Sequence, residues 1–205
     1  INQENLVIPE VIAYKNIKNI EILLIEWIDM HNFDQKKLGK GLGELHLKSA
    51  ESNPKMFGFP VEGFIGTTDQ KKGLEDNWID CFLNLRIIPQ LLSLKSRILD
   101  EEIINKVKEK IQSELLNHKP INALVHGDLW SGNAGIDKNG KGVIFDPASW
   151  WADNEVDIAM TKLFGGFRKE FYEEYHRIFP IKNGFEKRII IYNFYHILNH
   201  ANMFG

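Results

Sequence analysis

Residues 124 to 147, LVHGDLWSGNAGIDKNGKGVIFDP, constrain the fold more than any other part of the chain. Ala134 to Ile136 and Val143 to Phe145 are short apolar runs on either side of Lys138-Asn139-Gly140-Lys141. Asn-Gly is the strongest short-range hairpin signal, because both residues tolerate the positive φ that a tight turn requires. Pairing of the two runs returns Asp146 to the side of Asn133. Asp128 stands only five residues before Asn133, at the end of a Leu124-Val125 strand that leads into His126-Gly127-Asp128. Two carboxylates and an amide are thereby drawn into one small volume.

Asp and Asn in a glycine-rich stretch are often no more than turn formers. Here that account would also have to cover His-Gly-Asp, the hairpin, and an apolar strand that ends in Asp-Pro. A carboxylate with an amide five residues on has the spacing of a kinase-type catalytic loop, in which one loop serves both the attacking hydroxyl and the magnesium ion. The residues therefore predict phosphoryl transfer. Asp128 would orient and deprotonate a hydroxyl, while Asn133 and Asp146 would offer hard oxygen ligands to Mg2+ held mainly through substrate phosphates. His126 reads as a brace bonded to backbone, since a second base beside Asp128 would have no task.

The 205 residues are 43% hydrophobic, enough to bury a core in one generous domain or two small ones. With 25 basic and 28 acidic residues the net charge is -3, which provides no polycationic surface for nucleic acid. Cys81 is the lone cysteine, so no internal disulfide and no cysteine-based zinc site can form, and a reducing, cytoplasmic setting is expected. The opening residues lack the pattern of a secretory signal, and no apolar run approaches a membrane span.

Coarse periodicity predicts an α+β protein with strands first and mostly helices after. VIPEVIAYKN and EILLIEWID (21 to 29) read as strands, the second buried because it is almost continuously apolar. Residues 34 to 48 read as a helix capped by Asp34, with Gly39, Gly41 and Gly43 permitting close packing. Residues 52 to 76 read as a long functional loop with one short strand near Val61 to Ile65. Residues 77 to 99 read as a helix that kinks or restarts at Pro89, with Cys81 in its buried face. Residues 100 to 118 read as an amphipathic helix whose apolar stripe runs from Ile103 to Leu116. Residues 154 to 166 read as a helix capped by Asn154 or Asp153 and stopped by Gly165 or Gly166, and two aromatic-rich helices follow. Trp150 and Trp151 point opposite ways on a strand, so at most one can face a pocket. His196 and His200, four apart on a helix, read as a packed or substrate-facing pair rather than as half of a metal site.

HGDLWSGN (126 to 133), FDPASWW (145 to 151), LFGGF (163 to 167) and YNFYHILNHANMFG (192 to 205) closely resemble the fructosamine kinase family. FGF (57 to 59), FIGTT (64 to 68) and the Trp130-Ser131 pair narrow the likeness to that family within the aminoglycoside phosphotransferase and choline kinase group. The resemblance implies a protein-kinase-like fold, with residues 1 to 28 as the last strands and hinge of an N-terminal lobe and 29 to 205 as the mostly helical C-terminal catalytic lobe. It implies transfer of the γ-phosphate of ATP to a sugar hydroxyl of a small-molecule or protein-bound ketosamine, giving a 3-phosphate whose decay releases the amine and repairs glycation. Asp128 matches the catalytic base, and Asn133 and Asp146 match the magnesium ligands. Trp130 would stack on the sugar, His200 would lie near the substrate, and Asp157 would brace the catalytic loop. In the hinge, Glu26, Trp27 and Ile28 would meet adenine through Glu26 and Ile28 backbone groups, with Ile25 behind the pocket.

Such a chain would open with a glycine-rich phosphate loop and a phosphate-pairing Lys. Neither stands upstream of Glu21, and Lys15 and Lys18 are too close to the hinge. Because the base and metal residues are all kept, an N-terminally incomplete chain is expected over a non-catalytic pseudokinase. An aminoglycoside- or choline-type phosphotransferase is the alternative activity, and the oligomeric state stays open.

Overall fold

The expected hairpin forms in the computed structural model, which describes residues 4–18, 20–32, 34–52, 54–94 and 100–205. The start of the N-terminal stretch (1–3), Asn53 of the expected loop and the end of the helix expected over 77–99 (95–99) lie outside the described residues.

The chain begins with β1 (Leu6–Val7), β2 (Val11–Ile17) and β3 (Ile20–Ile25). β2 and β3 pair only with each other, and β3 is exposed throughout, which corrects the expectation of a buried strand. Its apolar, β-branched run is enough to make a strand. Burial needs a covering layer, and among the described residues none packs over either face of this two-stranded hairpin.

α1 (Lys36–Glu51) follows with Gln35 at its N-cap. Asp34 lies one residue further out, its carboxylate accepting the Lys36 N–H at 3.1 Å. The stretch expected to be loop holds four three-residue strands: β4 (Phe57–Phe59), β5 (Gly63–Ile65), β6 (Thr68–Gln70) and β7 (Gly73–Glu75). Strands this short, set among Gly and Pro, carry too little periodicity to be read from sequence. Asn77 caps α2 (Trp78–Phe82) by accepting the Ile79 and Asp80 N–H groups at 2.8 and 3.2 Å. A π-turn over Leu83–Ile87 then leads into α3 (Ile88–Ser93). Pro89 falls in the first turn of α3, where its missing N–H costs nothing, so the helix restarts there as expected. Asp100 caps α4 (Glu101–Leu115), and Leu116 is exposed beyond the end of its buried stripe.

The second half runs through four strands and then three helices: β8 (Asn122–Val125), β9 (Ala134–Ile136), β10 (Gly142–Ile144), β11 (Trp150–Asp153), α5 (Glu155–Leu163), α6 (Lys169–Ile178) and α7 (Phe185–Phe204). One sheet runs β1-β10-β9 and another β7-β4-β11-β8. Neither Asp153 nor Asn154 caps α5 through its side chain. Their polar atoms are taken by buried partners, Asp153 by His118 and Tyr192 and Asn154 by Tyr175. α5 ends at Leu163 with Phe164 as its C-cap, and Gly165 and Gly166 follow at φ 74° and 92°, the stop expected of them. No helix among the described residues is long and apolar enough to cross a membrane.

Trp78 stacks on Phe82 and Trp150 at 5.4 and 5.6 Å, with Tyr192 edge-on to both Trp78 and Phe82, and the Arg86 guanidinium lies 4.0 Å from the Trp150 ring centre. Trp150 is thus core, whereas Trp151 is half-buried on the opposite side of β11. Cys81 sits in the same core, where burial pushes its thiol up to about 12.

α1 packs against α6 so closely that a Cβ on Gly39 would stand 2.1 Å from the Phe171 carbonyl oxygen and one on Gly43 2.9 Å from Ile178. Gly41 faces β1 instead, where a Cβ would stand 2.8 Å from the Leu6 side chain, so all three glycines permit the close packing expected of them. Gly39→Ala is expected to lower stability by about 2–4 kcal/mol, because the obstacle is backbone that no rotamer change can clear. Urea denaturation of the variant beside the parent measures it.

Candidate active site

Residues 122 to 153 form one strand pair nested inside another. The outer pair is β8 against β11, with Val125 opposite Trp150 and Asn122 opposite Asp153. The inner pair is β9 against β10, with Ala134 opposite Ile144 and Ile136 opposite Gly142. Asp128 and Asn133 lie on the arm between β8 and β9, and Asp146 lies on the arm between β10 and β11. Nesting closes the two arms on each other. Asn133 spans the gap: its amide nitrogen donates to the Asp128 carbonyl (3.0 Å), the Asp128 carboxylate (3.3 Å) and the Asp146 carbonyl (3.5 Å).

The arms approach so tightly that a Cβ on Gly127, at φ 84°, would meet the Ala148 carbonyl oxygen at 2.1 Å. Asp146 itself takes φ 55°, a left-handed conformation that asparagine and aspartate tolerate better than most residues. The hairpin tip is wider than a two-residue turn. Asp137 closes it by accepting the Asn139 and Lys141 N–H groups, both at 2.8 Å, with Gly140 at φ 72°. Sequence reading missed Asp137, although an Asp two residues before Asn-Gly is a signature of such side-chain-to-backbone turns.

Asp157, at the start of α5, is wholly buried beneath this loop and accepts the backbone N–H groups of His126 (2.7 Å) and Gly127 (2.8 Å). His46 of α1 reaches the same carboxylate at 3.1 Å through Nε2 and meets the Tyr175 hydroxyl at 2.8 Å through Nδ1. The Asn154 amide donates to that hydroxyl at 2.9 Å. Burial alone would push the Asp157 carboxyl up, but the bond and charge of His46, the His126 ring and the Gly127 N–H together hold it below the ordinary carboxylate range. His126 ties the two arms, since its ring Nε2 lies 2.8 Å from the Phe145 carbonyl oxygen. Burial lowers its pKa, favouring a neutral imidazole that donates to that carbonyl.

Asp128 opens onto a cleft of about 390 Å³ whose walls include Trp130, Phe164, His196, His200 and Met203. Trp130, Phe164, His200 and Phe204 form a chain of ring contacts along one side, at centroid distances of 6.2, 5.1 and 5.1 Å. Burial first, then the carboxylates of Asp146 and Asp157, raise the Asp128 carboxyl to about 6, against the Asn133 hydrogen bond that lowers it. A carboxylate held near 6 is a better proton acceptor than a free one and is still ionised at neutral pH.

The oxygen-rich side of the loop suits a hard divalent cation. Asn133 commits its amide nitrogen to protein acceptors, which turns its amide oxygen the other way, and Asp146 is exposed beside it. One amide oxygen and one carboxylate, with substrate phosphates and water to complete the shell, is a donor set that Mg2+ accepts. A second polar group, His118, Asp153 and Glu155, would also have ligand spacing. Its members already pair with one another, with Tyr192 and with Arg188, so it reads as a buried ion-pair network joining α7 to β11 and α5.

Residues 25 to 28 form the link from β3 to the hairpin. The Glu26 N–H donates to the Glu10 carbonyl at 2.9 Å, Trp27 is 87% exposed with its indole N–H on Asp29 (3.0 Å), and Ile25 is exposed. Just beyond, Met30 bridges to Asp137 and the His31 N–H donates to Ile136 at 2.7 Å. The link therefore joins the hairpin that carries Asn133 and Asp146 at its base.

A family model described as Fructosamine kinase matches residues 1–205. A protein of Synechocystis sp. named Probable ketoamine kinase is 39% identical over 97% of this chain and 67% of its own length. Ketosamine-3-kinase of Mus musculus is 32% identical over 90% of the chain and 68% of its own. The crystal structure of a fructosamine-3-kinase candidate from Haemophilus somnus superposes with a TM-score of 0.87 at 27% identity, over 97% of this chain and 67% of that one.

Two outcomes follow from the electrostatics. Asp157→Ala strands two buried N–H groups and His46 at once, so a loss of about 3–5 kcal/mol is expected in chemical denaturation. Asp128 has the opposite sign: its raised carboxyl costs stability that is absent below about pH 4 and fully felt above about pH 6. With the side chain 21% exposed, Asp128→Asn is expected to gain about 1–2 kcal/mol at pH 7.5 and almost nothing near pH 4, read by thermal melts at both.

Proposed function

Because the chain belongs to the fructosamine kinase family, with its protein-kinase-like α+β fold, we propose that it is an ATP-dependent ketosamine 3-kinase, phosphorylating a sugar hydroxyl of fructosamine- or ribulosamine-type adducts as a step in deglycation. The observation that carries the site assignment is the nested strand pair, which draws the arms of Asp128, Asn133 and Asp146 together, with Asp128 on the wall of an aromatic-lined cleft.

Asp128 is the base. It takes the proton as the acceptor O–H bond breaks, the hydroxyl oxygen forms a bond to the γ-phosphorus, and the bond to the β-phosphate oxygen breaks with its electron pair leaving on ADP. Asn133 and Asp146 would hold Mg2+, which neutralises charge on the phosphates when bound. Asp157 and His126 keep the loop in place. Trp130 and His200 form the sugar wall. Residues 1–28 are read as the end of an N-terminal lobe, with Ile25 to Ile28 against adenine. A cytoplasmic, reducing setting suits the buried Cys81 thiol.

Among the described residues that line the cleft, Asp128 is the one carboxylate, and the rest are aromatic, methionine, histidine, asparagine or glycine. Aminoglycosides carry several ammonium groups and call for several acidic partners. A neutral polyhydroxyl ring with one amine does not.

In the full-length protein, phosphate transfer is expected only with ATP, Mg2+ and a ketosamine together. Asp128→Ala should abolish turnover while circular dichroism is unchanged, and activity retained in that variant would sink the mechanism. The wild-type kcat/KM should rise with pH through about 6, since the base works only when ionised.

A further inference from the structure

Four polar side chains reach the cleft, and three of them are accounted for. Asp128 accepts from Asn133. Asn199 spends its amide nitrogen on the Ile65 carbonyl and the Met203 sulfur, both at 3.4 Å, and its oxygen on Gln90 at 3.3 Å. His200 packs its ring between Phe164 and Phe204. His196 is different. It is 2% exposed, its Nε2 is sealed in protein with no hydrogen-bond partner among the described residues, and its Nδ1 stands 3.9 Å from the Asp128 Oδ1. That gap is too long for a hydrogen bond between the two groups. It is the span that one oxygen atom bridges when it bonds to both sides at about 2.8 Å.

We infer that His196 is a second acceptor-binding residue, its Nδ1–H donating to the oxygen of the hydroxyl whose proton passes to Asp128. This rests on the phosphoryl-transfer reading given above. The sealed Nε2 selects the tautomer: a buried N–H without a partner is rarer than a lone pair without one, so the proton sits on Nδ1 and points at the notch. Burial, opposed by the Asp157 charge and helped by His200, lowers the imidazole to about 4, so the ring is uncharged at neutral pH. An uncharged N–H neither quenches the base by pairing with it nor attracts a phosphate in place of the sugar. It fixes one lone pair of the acceptor oxygen and leaves another facing the phosphorus. His196 keeps its own proton throughout. The residue thus selects for a hydroxyl, which offers the donor and the acceptor that the notch requires.

The test is steady-state kinetics of the full-length protein with a ketosamine acceptor, comparing His196→Asn, His196→Gln and His196→Ala. Asparagine places an amide N–H close to the position of Nδ1, whereas glutamine reaches towards Nε2. Alanine and glutamine should lower kcat/KM for the ketosamine roughly 10- to 100-fold, with asparagine within roughly threefold of wild type and the KM for ATP unchanged throughout. Wild-type kcat/KM in a folded alanine variant, or equal losses in the asparagine and glutamine variants, would overturn the inference. Should alanine fail to fold, the asparagine and glutamine pair decides. A wild-type protein that turns over no ketosamine would overturn the functional reading instead, so the two failures are told apart.

Discussion

A single buried carboxylate organises the site. Asp157 accepts two consecutive backbone N–H groups from the loop that bears Asp128, and it is itself held by His46, which leans on Tyr175. These contacts connect α1, α5, α6 and the Asp128 loop through one charge. Burying an ion is costly unless every lone pair is used. Here the expense is met by the groups whose positions matter most, so the loop's backbone is fixed by the same bonds that make the charge tolerable.

The two aspartates of the loop region show how environment divides the work between similar side chains. Asp157 sits among donors, and they hold its carboxyl low. Asp128 is raised first by burial and then by the two carboxylates nearby, with only the Asn133 hydrogen bond to lower it. The first stays an anion, and the second, the base of the proposed reaction, is held near 6.

Much of this was legible in residues 124 to 147, because hairpin chemistry and the Asp128–Asn133 separation are local in sequence. The expectations for Asp157 and Trp130 came from family likeness, since nothing in their own neighbourhoods marks them. What sequence did not disclose depends on distant partners. Whether β3 is buried is decided by what covers it. β4 and β7 exist as strands because β4 lies between β11 and β7, while β5 and β6 pair only with each other. The chain from His46 to Tyr175 joins residues 129 apart, and His196 gains meaning only because α7 carries it back beside Asp128. The π-turn at 83–87 falls under the same heading, since its Arg86 lies over the ring of Trp150, distant in sequence.

The nested strand pair has a consequence for how the protein is made. The inner hairpin can close early, since its ends are near in sequence, but the outer pair waits until β8 and β11 meet, and the brace waits for α1 and α5. Contacts of long sequence separation form late, after the entropy of closing their loops has been overcome. The arms that bear Asp128 and Asp146 are therefore among the last parts to settle. A chain that has reached only a partly ordered state holds no weakened version of the site, and its chemistry switches on together with the completed fold.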